Sequence, residues 1–557
     1  MERLAPELHA MILECILKDH PRNSRNPIAT LAPYAVISRR WQDSVERYTF
    51  RKINRLKTTE LHNFKELFTG TNIRRRELLK QLSIYFILPD PPNMDGCCEV
   101  EAIPDRDADS KTFTKAVVQL FDILSDLEHR SQRKSMLSLV LDEAYRTSPP
   151  KLHLGGVYMN RCKKHRTAQI QEAKTNSGKF ELLPETSLAI LDDISRFECT
   201  GHYLLAELRP TWIPIMMSHL PRLDKLVVQE RDLYTFGRTR RLSDRRELQR
   251  SLCFPPTEHL TEIVLDVEHT PLCNEDISVQ RLIGQSNWRE ETWSIVLRHL
   301  ARFPVLKKLH LLGELVICPE LFTNITEYKG TPFPSLQELV LEFAIETADG
   351  RWFYQRDEEA FTQAKSDPEL QHFSEDIEDS DEDPTDAEFD SDTDGYVRLF
   401  EDSPVRTSVV GHDRFRTLPD KDTFGVLLET ASRAVLRFPQ LRKFILNLAD
   451  RYTLNRDGVY YPYIPRHFEL WWLKSGEPRS PLKAEPKYLG YPKVACDAKY
   501  IHQNRLYWRT GSWIPWEEAQ SAWAKAAGPD VKIVFLEEKF WSGGRSRLAS
   551  SVYSGEF

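Results

Sequence analysis

The sequence predicts an α/β fold, in which a compact helical unit at the amino terminus is followed by an irregular array of short strands and helices. Three observations carry this. Apolar residues between positions 6 and 50 recur at helical spacing. Six later segments share a skeleton of an apolar residue, two free positions, a second apolar residue and then strict alternation. Tryptophans crowd the end of the chain, seven of the twelve lying after residue 470. At 557 residues, with 41% hydrophobic and 29% charged content, the chain is globular material long enough for several domains or one extended array.

The chain opens MERLAPELHAMILECILKDH, with a helical stripe over residues 6 to 18. Leu4, Leu8, Met11, Ile12, Cys15 and Ile16 follow the helical period, and Pro6 suits a first turn, where its missing N–H costs nothing. Residues 19 to 27, DHPRNSRNP, form a loop by composition. Thr30 is placed to cap a short second helix with Pro33 in its first turn, and Ser38 to cap a third. On that third helix Trp41, Val45 and Tyr48 share one face, which Phe50 is expected to close.

The two blocks LAPELHAMILECIL and LAPYAVISRRW, followed by VERYTF, resemble an F-box of the type abundant in filamentous fungi. The matching positions are Leu4, Pro6, Glu7, Leu8, Ile12, Leu13, Ile16 and Leu17, then Val36, Ser38, Arg39, Trp41, Val45 and Phe50. The resemblance covers about a tenth of the chain. It implies a three-helix module, residues 1–52, that docks on the Skp-type adaptor of a cullin-RING ubiquitin ligase. The adaptor-facing residues it implies are Leu4, Pro6, Glu7, Leu8, Ile12, Val36, Ile37 and Arg39. Ala5 and the long first loop depart from the family pattern.

The strand segments are SMLSLVLDEA from Ser135, LPRLDKLVVQE from Leu220, HLTEIVLDVEH from His259, FPVLKKLHLLGE from Phe303, FPSLQELVLEF from Phe333 and FPQLRKFILNLA from Phe438. Alternating side chains make each a strand with one face in a shared core. WSIVLRHLARF and VLLETASRAVLRF are helical stripes standing just before two of them. Helix, Phe-Pro and L-x-x-L-x-L is the grammar of leucine-rich-repeat arrays. The second apolar position recurs at Leu223, Leu260, Leu306, Leu336 and Leu441, in steps of 37, 46, 30 and 105, so the array is irregular. Leu82, Ile84, Phe86 and Leu88 alternate as its opening strand. The array is expected over 53–365 and 397–450.

The longest step holds SEDIEDSDEDPTDAEFDSDTD. Residues 375 to 394 carry twelve acids and no Lys or Arg, and 366–396 are expected to be a disordered insertion. With that stretch at −12 against −7 for the whole chain, the remainder carries only +5. A body so mildly basic gives no footprint for nucleic acid. Ser380, Thr385 and Ser391 each precede an acid by three positions, a pattern that suits acid-directed kinases. Arg238, Arg240, Arg241, Arg245, Arg246 and Arg250 form a basic cluster read as a solvated loop and helix.

Residues 451–557 are expected to form an aromatic-rich loop and a cap, with a helix over Trp516 to Ala527 and a last strand over Val531 to Glu537. Trp508, Arg509, Trp513 and Trp516 are its candidate substrate-binding residues, because Trp and Arg dominate binding hot spots. Cys162-x-x-His165 and Cys199-x-x-His202 have the form of zinc half-sites, but their separation is unlike zinc modules and no metal is expected.

No phosphate-binding loop, dinucleotide fingerprint, nucleophile elbow or H-E-x-x-H occurs, so no catalytic role and no cofactor are expected. Nine scattered cysteines and no membrane-spanning run point to the cytoplasm or nucleus, with no membrane partner. The function expected is the substrate-recognition subunit of a Skp-cullin-F-box ubiquitin ligase, binding the adaptor, through it a cullin, and a protein target. The alternative is a non-enzymatic scaffold with an F-box-like fold and no ligase assembly. A hydrolase or transferase on a divergent α/β array is the third class weighed.

Overall fold

The structure is a computed structural model. It describes residues 6–19, 27–90, 105–130, 136–146, 179–200, 208–232, 238–269, 279, 292–359, 362, 416–449, 468–478, 500–510 and 513–536. The chain starts with helix α1 (Pro6–Asp19), a 3₁₀ segment (Pro27–Val36) and helix α2 (Arg39–Thr49). Ser38, in extended conformation, caps α2, and its hydroxyl accepts the Trp41 N–H at 3.4 Å. Leu13, Leu31, Trp41 and Val45 form a small core of their own, flanked by Ile16, Leu17, Tyr34 and Tyr48. Two expectations need correction. Thr30 lies inside the 3₁₀ segment rather than at its cap, and Pro33 sits in its middle. Phe50 turns away from this core and packs edge-on against Phe68, centroids 5.7 Å apart.

A sheet follows without a linker. Strand β1 (Lys52–Lys57) leads through helices α3 (Leu61–Phe68) and α4 (Arg74–Leu78) to β2 (Gln81–Leu88). Then come α5 (Arg106–Arg130), β3 (Leu137–Arg146), β4 (Ile194–Cys199), α6 (Trp212–Ser218), β5 (Lys225–Asp232), α7 (Arg238–Leu252) and β6 (Glu262–His269). They are followed by α8 (Thr292–Leu300), β7 (Lys308–Ile317), α9 (Thr323–Thr326) and β8 (Glu338–Thr347). A two-stranded ladder of β9 (Tyr354–Gln355) and β10 (Leu418–Pro419) precedes α10 (Val426–Val435) and β11 (Lys443–Leu448). The chain continues through β12 (Glu469–Leu473), β13 (Arg505–Arg509), α11 (Glu517–Ala527) and β14 (Lys532–Phe535).

Twelve of these strands form one sheet in sequence order, β1 to β8 and then β11 to β14. Pairing is parallel from β1 through β11. Strand β12 runs antiparallel to both its neighbours, and β13 pairs parallel with β14. The fold is α/β with a large, mostly parallel sheet. Alternate strand residues such as Leu226, Ile263, Leu309, Leu339 and Phe444 join the apolar sides of α5, α6, α8, α10 and α11 in one continuous core.

A repeated backbone device spaces the strands. The carbonyl of Asp224 accepts the N–H groups of Thr261 and Glu262, at 2.8 and 3.0 Å. Thr261 does the same for Lys307 and Lys308, Lys307 for Gln337 and Glu338, and Gln337 for Arg442 and Lys443, at the same distances. Just ahead of three of these strands a short turn recurs, in which Leu223, Leu336 and Leu441 donate their N–H to the carbonyls of Leu220, Phe333 and Phe438. The proline in each turn cannot donate, and the apolar residue before it is buried.

Three further expectations are revised. The opening strand is β1, not the Leu82 to Leu88 segment, which is β2; as an edge strand β1 is mostly polar, so its pattern is weak. The aromatic-rich stretch is not simply a loop, since β12 (ELWWL) and β13 (RLYWR) extend the same sheet. The 25-residue α5 carries no strand motif and goes unanticipated. The acidic stretch 366–396 lies outside the described residues. Its flanks are held together by the β9–β10 ladder, by Thr417 donating to Asp357 at 2.7 Å, and by Arg416 over the Trp352 ring at 4.6 Å.

Candidate docking surface

Helix α1 carries two apolar faces. At 100° per residue, His9, Leu13, Ile16 and Leu17 cluster on one side, and Leu8, Met11, Ile12 and Cys15 on another. The first set faces α2: His9 is 1% exposed and its ring lies 4.8 Å from that of Trp41. The second set stays in solvent, with Leu8 43%, Met11 61% and Ile12 37% exposed. On the same module Val36 and Ile37, between the 3₁₀ segment and α2, are 87% and 47% exposed. A folded chain seldom leaves five large apolar side chains of one small unit uncovered, and such a surface marks an interaction site.

The unit that presents this surface is held firmly. The Tyr48 hydroxyl lies 3.2 Å from the Ala10 carbonyl and 3.3 Å from Glu14 Oε1, joining α2 to α1. Burial, then the Glu14 charge, push that phenol above its ordinary range, so it stays a donor. Two residues before Tyr48 on α2, burial would raise the Glu46 carboxyl. The hydrogen bond and charge of Arg75, with help from Gln42 and Arg74, outweigh burial and hold it low.

Of the sequence-derived residues, Leu8, Ile12, Val36, Ile37 and Arg39 are exposed together on this module. Pro6 opens α1 and Glu7 follows it; their side chains, and Leu4, lie outside the described residues. Met11 belongs to the set through its spacing from Leu8 and Ile12, a signal present in the sequence.

The carboxy-terminal candidates behave differently. Trp508 on β13 has no exposure, so it cannot touch a target, and Arg509 is buried with its guanidinium 3.1 Å from Glu469. Both occupy a strand inside the sheet, where each side chain is covered from one face or the other. Trp513 packs on Phe424, Phe468 and Trp516, closing the helical layer, and both Trp513 and Trp516 are half-buried. Packing accounts for this group.

Cys199 lies in the core, where burial pushes its thiol upward; Cys162, His165 and His202 are outside the described residues. The ligand atoms of Cys318, Glu320 and Asp349 come within 4.8 Å of one another. Arg351 already places a cation there, 3.6 Å from Glu320 and in contact with Asp349. In the basic cluster, Arg245 is buried and donates to the Val316 carbonyl at 2.7 Å. Among the described residues no helix is long and apolar enough to cross a membrane. No protein-family model and no curated protein sequence matches the chain.

Proposed function

We propose that the chain is the substrate-recognition subunit of a Skp-cullin-F-box type ubiquitin ligase. The observation that carries this reading is the second apolar face of α1, Leu8, Met11 and Ile12, left in solvent with Val36 and Ile37 beside a complete internal core. The sequence-ordered sheet and its recurring carbonyl device support a leucine-rich-repeat-like array that holds a protein target. The chain itself makes and breaks no bonds. It fixes the target at a set distance from the transfer machinery, so that transfer becomes effectively intramolecular.

The test pairs two substitutions. Leu8→Asp puts a charge on the exposed face and changes stability by less than about 0.5 kcal/mol. It abolishes capture of a purified Skp-type adaptor and its cullin. Trp41→Ala removes the centre of the internal core, costs about 3–5 kcal/mol, and melts the module. Equal adaptor capture by wild type and Leu8→Asp would sink the proposal.

One observation favours the scaffold alternative. The segment Pro27–Val36 is 3₁₀ throughout, with Pro33 inside it, where a regular second helix is expected. A folded chain that binds no Skp-type adaptor has that role.

A further inference from the structure

Strand β1 gives the sheet a basic edge. From Arg47 to Lys57 the sequence holds Arg47, Arg51, Lys52, Arg55 and Lys57 and no acid. All five are exposed, and among the described residues none of them meets a carboxylate. The acids just ahead of the stretch are taken, Asp43 by Arg74 at 3.1 Å and Glu46 by Arg75 at 2.7 Å. Like charges without a counter-charge repel one another, and an anion laid along them relieves that repulsion.

A bulge gathers three of these cations on one face. Ile53 and Leu56 both pack on the helix-side core. Strict alternation cannot put residues 53 and 56 on the same side. The register against β2 shifts between them, and Arg55 takes a φ of 59°. Lys52, Arg55 and Lys57 therefore all stand on the face away from the helices. There the Arg55 guanidinium lies 5.7 Å from the centre of the ring of Tyr85, the residue opposite Lys57 in the register. A non-glycine residue held in the left-handed region, with its side chain seated on an aromatic ring, is a placed cation. On the same face the Asp142 carboxylate of β3 accepts the Ser83 hydroxyl at 2.9 Å. The basic strip ends short of that acid and runs lengthwise along β1 for about 17–20 Å.

We propose that the β1 edge binds an extended segment of another protein, rich in Asp and Glu. Its cations are strung along a strand rather than gathered round one point, which suits carboxylates spaced along a chain. A nucleic acid fits less well, because Tyr85 is 4% exposed and offers no free face to a base. A membrane fits less well, because Ile53 is half-buried and Leu56 buried, leaving no apolar side chain to enter it. Strand β1 follows α2 directly, so the segment is held beside the amino-terminal module. That the acidic protein is a ligase target rests on the function proposed above; the binding itself does not.

Fluorescence anisotropy of the full chain with a labelled Asp-Glu repeat peptide long enough to span β1 reads the outcome. The chain binds this peptide and not an Asn-Gln repeat of the same length. Lys52→Glu with Lys57→Glu lowers the affinity at least about tenfold, and Arg55→Gly, which suits the left-handed backbone, lowers it about threefold. Reversing two exposed cations elsewhere, Arg222→Glu with Lys474→Glu, changes it less than about twofold. Adaptor capture, measured separately, is the same for all these chains, so a failure of the adaptor reading and a failure of the strip are told apart. Absence of peptide binding, or an equal loss from the distant pair, overturns the proposal. So does tighter binding of a single-stranded oligonucleotide or of phosphatidylserine vesicles, or peptide binding that emerges only once residues 366–396 are deleted. Loss of adaptor capture with Lys52→Glu and Lys57→Glu overturns it too, by assigning the strip to the adaptor interface.

Discussion

Arg75 Nη2 lies 2.7 Å from Glu46 Oε1, and the same guanidinium stacks 4.6 Å above the Phe50 ring. This pair joins the amino-terminal module to the sheet. Glu46 belongs to α2, whose other side packs on the small core, and Arg75 belongs to α4, which leads into β2. Arg74 adds contacts to Asp43 at 3.1 Å and Glu46 at 3.6 Å, and Gln42 donates to Glu46 at 3.1 Å. The joint matters for the proposed proximity mechanism, in which a docking face that swings freely could not fix a distance. Glu46→Ala should leave Arg75 half-buried without its carboxylate, at a cost of about 1–3 kcal/mol. The expected outcome is faster amide exchange through α2 with adaptor capture unchanged. Unaltered exchange in α2 would show that Phe50 and Phe68 hold the joint by themselves.

The sheet was largely legible because its strands repeat a pattern that physics forces. Leu223, Leu260, Leu306, Leu336 and Leu441 are all buried at equivalent places, and β5, β6, β7, β8 and β11 follow each of them closely. The exposed apolar face of α1 was legible for the same reason, since Leu8, Met11 and Ile12 are helically spaced. Which side of α1 turned inward was not. Both sides are apolar, and only the position of Trp41 decides that His9 and Leu13 go in. Strands β12 and β13 were hidden because Trp471, Trp472 and Trp508 read equally well as loop aromatics or strand residues. Sheet membership depends on partners distant in sequence.

Gly313 carries a constraint that no other residue type meets. It stands in β7 at a φ of 90°, and a Cβ there would lie 2.1 Å from the Val267 carbonyl oxygen on β6. Its N–H donates to Glu342 Oε2 at 2.7 Å, at a point where the register of β7 against β8 shifts. Gly313→Ala therefore combines left-handed strain with a backbone collision in mid-sheet, and should cost about 3 kcal/mol or more. The urea unfolding midpoint falls accordingly. An unchanged midpoint would mean that the bulge relaxes and that β6 and β7 are not held as described.

Lys179 and Glu230, the latter on β5, form a buried ion pair 2.8 Å apart. Asp244 and Glu247 of α7 add negative charge nearby, which together with Glu230 raises the Lys179 ammonium against the opposing effect of burial. Removing one partner strands the other away from water. Lys179→Met should cost about 3–5 kcal/mol, whereas Lys179→Met combined with Glu230→Leu should recover much of that loss. A double-mutant cycle in urea measures the difference. Additive losses would show that the two groups are stabilised separately by their surroundings.

Glu338 gives the sheet an acid-sensitive point on the face away from the helices. Burial alone would raise its carboxyl. His310, 3.4 Å away, and Lys443, 2.8 Å away, more than offset burial and hold the carboxyl at about 2. The three residues stand on adjacent strands β7, β8 and β11, so the charged carboxylate ties those strands together. Its pKa is depressed in the folded state, so between about pH 4.5 and 2 the unfolded chain binds the extra proton. The stabilisation is complete above that window and is lost as pH falls through it. Allowing for partial exposure, it amounts to about 1–2 kcal/mol at neutral pH. Glu338→Gln should therefore be less stable than wild type at pH 6.5, with the gap narrowing toward pH 3. The comparison uses tryptophan fluorescence in urea at both values. A gap independent of pH would place the effect of the substitution in packing rather than in the charge shared by Glu338 and its partners.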